Sequence, residues 1–107
     1  MASITIATAT SGTNTLLAAP GVGKKIRVKG IYLQFRDNQD FYIQSGTSGT
    51  FHVGNSTVKC AGAAAGGFVL PPVTLFWFDC DENKALVLNL STTDGAAGLL
   101  IYEEVRV

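Results

Sequence analysis

The side chains with reactive or ligating chemistry are few and scattered. His52 is the only histidine. A Ser-His-acid relay would need a serine and a carboxylate beside it in space. Serines are plentiful, but no GxSxG elbow exists: Gly46-Thr47-Ser48-Gly49 has the wrong spacing. Asp79, Asp81 and Asn83 stand at alternate positions, like the first three ligands of a calcium loop. Lys84 occupies the place of the bend-making glycine, and Leu90 that of the closing glutamate. Pro20 to Lys25 (PGVGKK) is laid out like a phosphate loop, yet Ala18 and Lys25 stand where that loop needs a glycine and a Ser or Thr. A strand pattern follows it, not the helix whose N-terminus would help bind phosphate. Glu103 and Glu104 are adjacent in a strand pattern, so they point to opposite faces and cannot act as a catalytic pair. Cys60 and Cys80 form no CxxC unit, which removes the usual zinc spacing, and both are expected as reduced thiols. The expectation is therefore no catalytic residue, no metal, no cofactor and no enzyme.

The bulk composition bears on what the chain touches. Its 107 residues fit one domain. Apolar residues make up 47% and charged residues only 15%, against a usual charged share of about a quarter. A small domain has a high surface-to-volume ratio and needs more polar cover, so part of this surface is expected to lie against protein. Eight basic and eight acidic residues cancel. That balance argues against a nucleic-acid partner, which needs a positive field. No apolar run has the length of a membrane span, and the N-terminus MASITIATATSG lacks the pattern of a secretion signal. Synthesis in the cytoplasm, with no membrane partner, is the expectation.

The elements that would position these residues are strands. Lys24 to Arg36 alternates with period two: Ile26 and Val28 on one face, then a phase slip at Gly30, then Ile31, Leu33 and Phe35. A slip at a glycine predicts a bulge or a strand passing between layers. Thr15–Ala19, Phe41–Gln44, Phe51–Val53, Ser56–Cys60, Phe68–Leu70, Thr74–Phe78, Ala85–Leu90 and the terminal GLLIYEEVRV read as further strands. The run 61–67 (AGAAAGG) reads as a loop or a close backbone contact. Residues 1–15 read as an arm or an edge strand, able to dock on a neighbour by adding a strand. Residues 16–107 read as a single sandwich domain. The predicted fold is all-β with about eight or nine short strands, a jelly-roll-like β-sandwich, with an immunoglobulin-like sandwich as the alternative.

The order of segments carries a resemblance. GVGKKIRVKGIYLQF is followed by QSGTSGT, AAAGGFVLPP, a WF-acid turn into ALVLNLST, and GLLIYEEV. This order, over about Gly23 to Val105, resembles small β-sandwich virion proteins of tailed bacteriophages, capsid decoration or cement proteins among them. The resemblance implies a structural protein without enzymatic motifs: a homotrimer on the outer capsid surface of the virion, made in the host cytoplasm, with the major capsid protein as partner. The alternative it leaves open is a carbohydrate- or receptor-binding module of a head fibre or tail, for which Trp77, with Tyr32, Tyr42 and Tyr102, would supply aromatic platforms. On the first reading, Ile4 and Ile6 are expected to meet the capsid or a neighbouring subunit. Tyr32, Trp77, Tyr102, Glu104 and Arg106 are expected at oligomer contacts.

Overall fold

The computed structural model describes residues 2–64 and 66–107, and among these the alternating segments become strands, with no helix. Met1, in the N-terminal segment, and Ala65, in the small-residue run, lie outside the described residues. The strands are β1 (Ala2–Thr8), β2 (Gly12–Leu17), β3 (Lys24–Phe35), β4 (Gln39–Ser45), β5 (Phe51–Val53), β6 (Cys60–Gly62), β7 (Gly67–Leu70), β8 (Phe78–Asp79), β9 (Leu86–Leu90) and β10 (Ala96–Arg106). One sheet runs β1-β10-β3-β7, with β8 on the same edge of β3. The other runs β2-β9-β4-β5, with β6 on the same edge of β4. The N-terminal segment is thus an edge strand of the β3 sheet and the start of the β4 sheet. First and last strands pair, and most connections cross between sheets, which is the wrapped order of a jelly roll.

Two edge strands are interrupted, and this reconciles ten observed strands with the smaller number expected. β5 and β6 lie in line along β4, separated by the excursion 54–59. β7 and β8 lie in line along β3, separated by 71–77. The strand expected over Thr74–Phe78 is therefore corrected: only Phe78 and Asp79 are in the ladder. Pro71 and Pro72 have no N–H to give it. Val73 N then bonds Lys29 O and Trp77 N bonds Val28 O, two successive carbonyls, so residues 74–76 are thrown out of the sheet. The segment expected as strand 56–60 is also corrected. Asn55 Oδ1 accepts from the N–H groups of Thr57 and Val58, closing a turn, and pairing resumes at Cys60.

The phase slip in β3 is a bulge. Gly30 pairs with Ile101 and Val28 with Tyr102, leaving Lys29 as the extra residue. The bulge restores the inward phase, so Ile26, Val28, Ile31, Leu33 and Phe35 all enter the core. Leu86, Leu88 and Leu90 of β9 and Phe41 and Ile43 of β4 meet them from the other sheet. Phe35, Phe41 and Phe68 stack in a chain with ring centroids 4.8 and 5.4 Å apart. Gly62 abuts the Phe35 ring, where a Cβ would come within 2.9 Å of it. That is the close contact expected of the small-residue run.

Gly98 marks the tightest approach between β10 and β3, because a Cβ there would be driven into the Tyr32 carbonyl. Replacing Gly98 with alanine is expected to cost at least about 2 kcal/mol, since backbone, unlike a flexible side chain, cannot swing away. Urea unfolding measures it, and an unchanged midpoint would show that the two strands can separate freely.

Candidate functional site

The residues with catalytic chemistry do come together in part, but as a structural knot. Ser45 ends β4 and His52 lies in β5, two strands that pair, so the turn between them brings Ser45 Oγ within 2.6 Å of His52 Nε2. Ser45 Oγ also accepts the Asp81 N–H at 3.0 Å. Which of the two donates in the Ser45–His52 bond depends on the ring's tautomer. Asp81 does not complete a relay: its carboxylate takes the N–H and hydroxyl of Thr50. Ser45 is 0% exposed, so its oxygen cannot meet a substrate. The His52 ring lies flat on Phe78, centroids 4.4 Å apart at 11°. Cys80, two residues after Phe78, is buried, and burial pushes its thiol up to about 11, far from a reactive thiolate. Cys60 and Cys80 are both free thiols.

The acidic turn 79–84 is a junction. Asp79 holds Arg27 through Nε at 2.8 Å and a second guanidinium nitrogen at 3.1 Å, and it holds Lys25 at 2.9 Å. Asp81 holds Thr50, as above. Glu82 Oε2 accepts from Gly23 N, and Asn83 Oδ1 accepts from Gly21 N. The would-be calcium ligands thus face three different segments. The glycine-loop donors that a phosphate would need are already bound to the protein's own oxygens. Nothing in the sequence paired these segments, because the contacts span 52 to 62 residues for Arg27, Gly21 and Gly23.

The surface with unmet contact chemistry is the outer face of the β3 sheet. Register places Thr5, Leu99, Tyr32 and Val69 in one row across four strands. Leu99, Tyr32 and Val69 are 41%, 45% and 53% exposed, although they are neighbours. The next row holds Ser3, Ile101 and Gly30, with Pro72 packed on Gly30 so closely that a Cβ would lie 3.1 Å from it. These residues frame a shallow apolar depression of about 150 Å³. Beyond it comes a charged row, Glu103, Arg27 and Asp79, with Lys29 Nζ 3.7 Å from Glu103. The excursion 71–77 stands at this edge, with Leu75 76% exposed, and the Arg27 guanidinium carbon lies 4.2 Å from the Phe76 ring centre. The opposite outer face is mostly polar, with Thr13, Thr15, Asp40, Tyr42 and Asn89 among its residues, and one exposed aromatic, Phe51, against Tyr42.

The residues expected at contacts fall into two sets. Tyr32 is in the apolar row, and Trp77 is exposed on the excursion, its indole N–H already donating to Pro71 O at 2.8 Å. Ile6 is corrected: at 2% exposed it fills the core, while Ile4, on the same inward face, is left partly open at the sheet edge. Tyr102, Glu104 and Arg106 do not share the outer face with Tyr32. They share the inward face with Leu100; Tyr102 packs against the core, while Glu104 and Arg106 run past it into solvent. Alternation decides this, since β10 runs without a bulge from Leu100 to Arg106. The outward residues of β10, Leu99 and Ile101, were missed; their signal was the doublet Leu99-Leu100, one side chain for each face. Comparison with known proteins finds no matching protein family, no matching curated protein and no matching solved structure.

The knot sets the response to acid. Burial, ahead of the opposing pull of Asp81 and Asp79, holds the His52 pKa below 6.5. The unfolded chain therefore takes up the proton first, and stability is expected to fall as pH drops through 6.5 toward the folded value. For Asp79 burial opposes the charge, but Arg27 and Lys25 prevail; for Asp81 the Thr50 donors prevail; both sit below 3.8. Their contribution is present above 3.8 and is lost as pH falls below it. His52→Gln is expected to flatten the upper decline and leave the lower one; unchanged slopes in denaturant titrations across pH would place the upper proton elsewhere.

Proposed function

We propose that this protein is a structural component of a bacteriophage particle, a trimeric decoration or cement protein that binds the outer surface of the assembled capsid and stabilises it. The observation that carries the reading is the outer face of the β3 sheet, where Leu99, Tyr32 and Val69 lie side by side and open to solvent. A contiguous apolar row on a small neutral domain is interface chemistry. The polar groups with catalytic potential are tied to structural partners, which supports a binding role over a reaction. The segment order shared with small virion β-sandwiches supports the particle as the setting. A clamp of this kind stabilises by binding only the assembled state, and three copies about an axis multiply each contact.

The fibre or tail binding module is less well supported. The depression of about 290 Å³ at the excursion is lined by Val73, Thr74, Leu75, Phe76 and Trp77, with Thr74 the only polar side chain. A sugar site needs several placed hydrogen-bonding groups beside its ring.

The wild-type protein is expected to sediment as a trimer at micromolar concentration and to pellet with purified capsids of its phage. Val69→Glu is expected to weaken both while changing folding stability by no more than about 0.5 kcal/mol, since the site is on the surface. A wild-type protein that is monomeric and ignores capsids would end this reading.

A further inference from the structure

The β3 sheet has an open edge of unusual character. β1 pairs with β10 on one side through seven residues in unbroken register, and among the described residues nothing pairs with its other side. Free sheet edges are normally protected by lysine, proline, a bulge or brevity, because an unprotected row of N–H and C=O groups templates another strand. β1 has none of these: ASITIAT carries no charge and no proline, and no charged side chain occurs before Lys24. The other three edges are all protected. β7 and β8 are split by 71–77, β5 and β6 by 54–59 with Lys59, and β2 has a register shift between Thr15 and Leu17.

We infer that β1 is a self-pairing edge: it joins the β1 of a second copy, antiparallel about a two-fold axis at Thr5. The occupant follows from what is on the molecule. An isologous contact needs a self-complementary surface, and β1 is the edge that is straight, uncharged and open. Opposed residues in an antiparallel pair share a face, so even-numbered residues must meet even-numbered ones and the axis must pass through a residue. Thr5 is the centre of Ala2–Thr8, and an axis there pairs all seven residues. It also sets Ile4 of each copy beside Ile6 of the other. That covers the one inward-facing isoleucine of β1 left 38% exposed. The inner apolar layer would then run through both copies without a break. This contact lies in the plane of the sheet and is independent of the outer face proposed above for trimer or capsid contact.

A seven-residue edge buries less area than a standard stable interface, so the pair is weak in dilute solution and a trapping experiment suits it. In the full chain with Cys60→Ser, Thr5→Cys treated with a short bismaleimide is expected to give a crosslinked dimer. Thr57→Cys, an exposed site on the opposite edge of the sandwich, is the control and is expected to give only background. Adding Ile4→Lys, which puts a charge beside Ile6 of the second copy, is expected to abolish the Thr5 crosslink with the fold intact by circular dichroism. Adding Val69→Glu is expected to leave it, so the edge contact survives even if the outer face proves to have no role. A Thr5→Cys yield no higher than that of Thr57→Cys, as would follow if the edge instead takes a strand from the capsid or stays free, overturns the proposal. So does a crosslink indifferent to Ile4→Lys.

Discussion

Eleven residues of β10 lie antiparallel against the twelve of β3, and the rest of the molecule is hung on that pair. β1 attaches to the far side of β10, while β7 and β8 attach to the far side of β3. The pairing survives its own length because of two glycines. Gly98 allows the two backbones to approach, and the Lys29–Gly30 bulge resets the inward phase of β3. A strand of this length twists, and a bulge takes up the accumulated mismatch between side-chain phase and core. β10 itself runs without a bulge, so its even-numbered residues keep one face throughout while β3 shifts phase against it. Without the extra residue Lys29, one half of β3 would turn its apolar side chains outward.

The polar chemistry is subordinate to this scaffold. The acidic turn between β8 and β9 draws in β3 through Asp79, the β4–β5 turn through Asp81, and the β2–β3 loop through Glu82 and Asn83. Buried polar groups cost several kcal/mol when unpaired, so a turn that binds three segments specifies their relative positions as well as holding them. Ser45, buried without solvent contact, satisfies both Asp81 and His52, and no buried side-chain nitrogen or oxygen among the described residues lacks a partner. Asn14 plays the same part at the start of β2, bonding Thr8 Oγ1 and the carbonyls of Thr10 and Gly12. Groups that look catalytic in one dimension are joints in three.

The two outer faces differ in kind, and the difference agrees with a protein that lies against others. One carries hydroxyls, amides and a carboxylate; the other carries a leucine, a tyrosine and a valine abreast, with a cluster of greasy side chains standing at its edge. Much of the missing polar cover is missing from this face and its edge.

Much of the architecture is legible in the amino-acid sequence. Alternation located β3 to within a residue, Gly30 announced its bulge, Leu86, Leu88 and Leu90 announced β9, and Phe51–Val53 matched β5 outright. These signals are local, because a strand's side chains alternate whatever it pairs with. Thr74–Phe78 misled for the same reason: it has strand composition, but Pro71, Pro72 and two adjacent β3 carbonyls leave it no ladder to join. Which face of β10 is inward, whether Ile6 is core or contact, and which segments the acidic turn binds were settled only by the fold. Those facts depend on register between strands far apart in the chain, and a period of two says that faces differ without saying which one meets the opposing sheet.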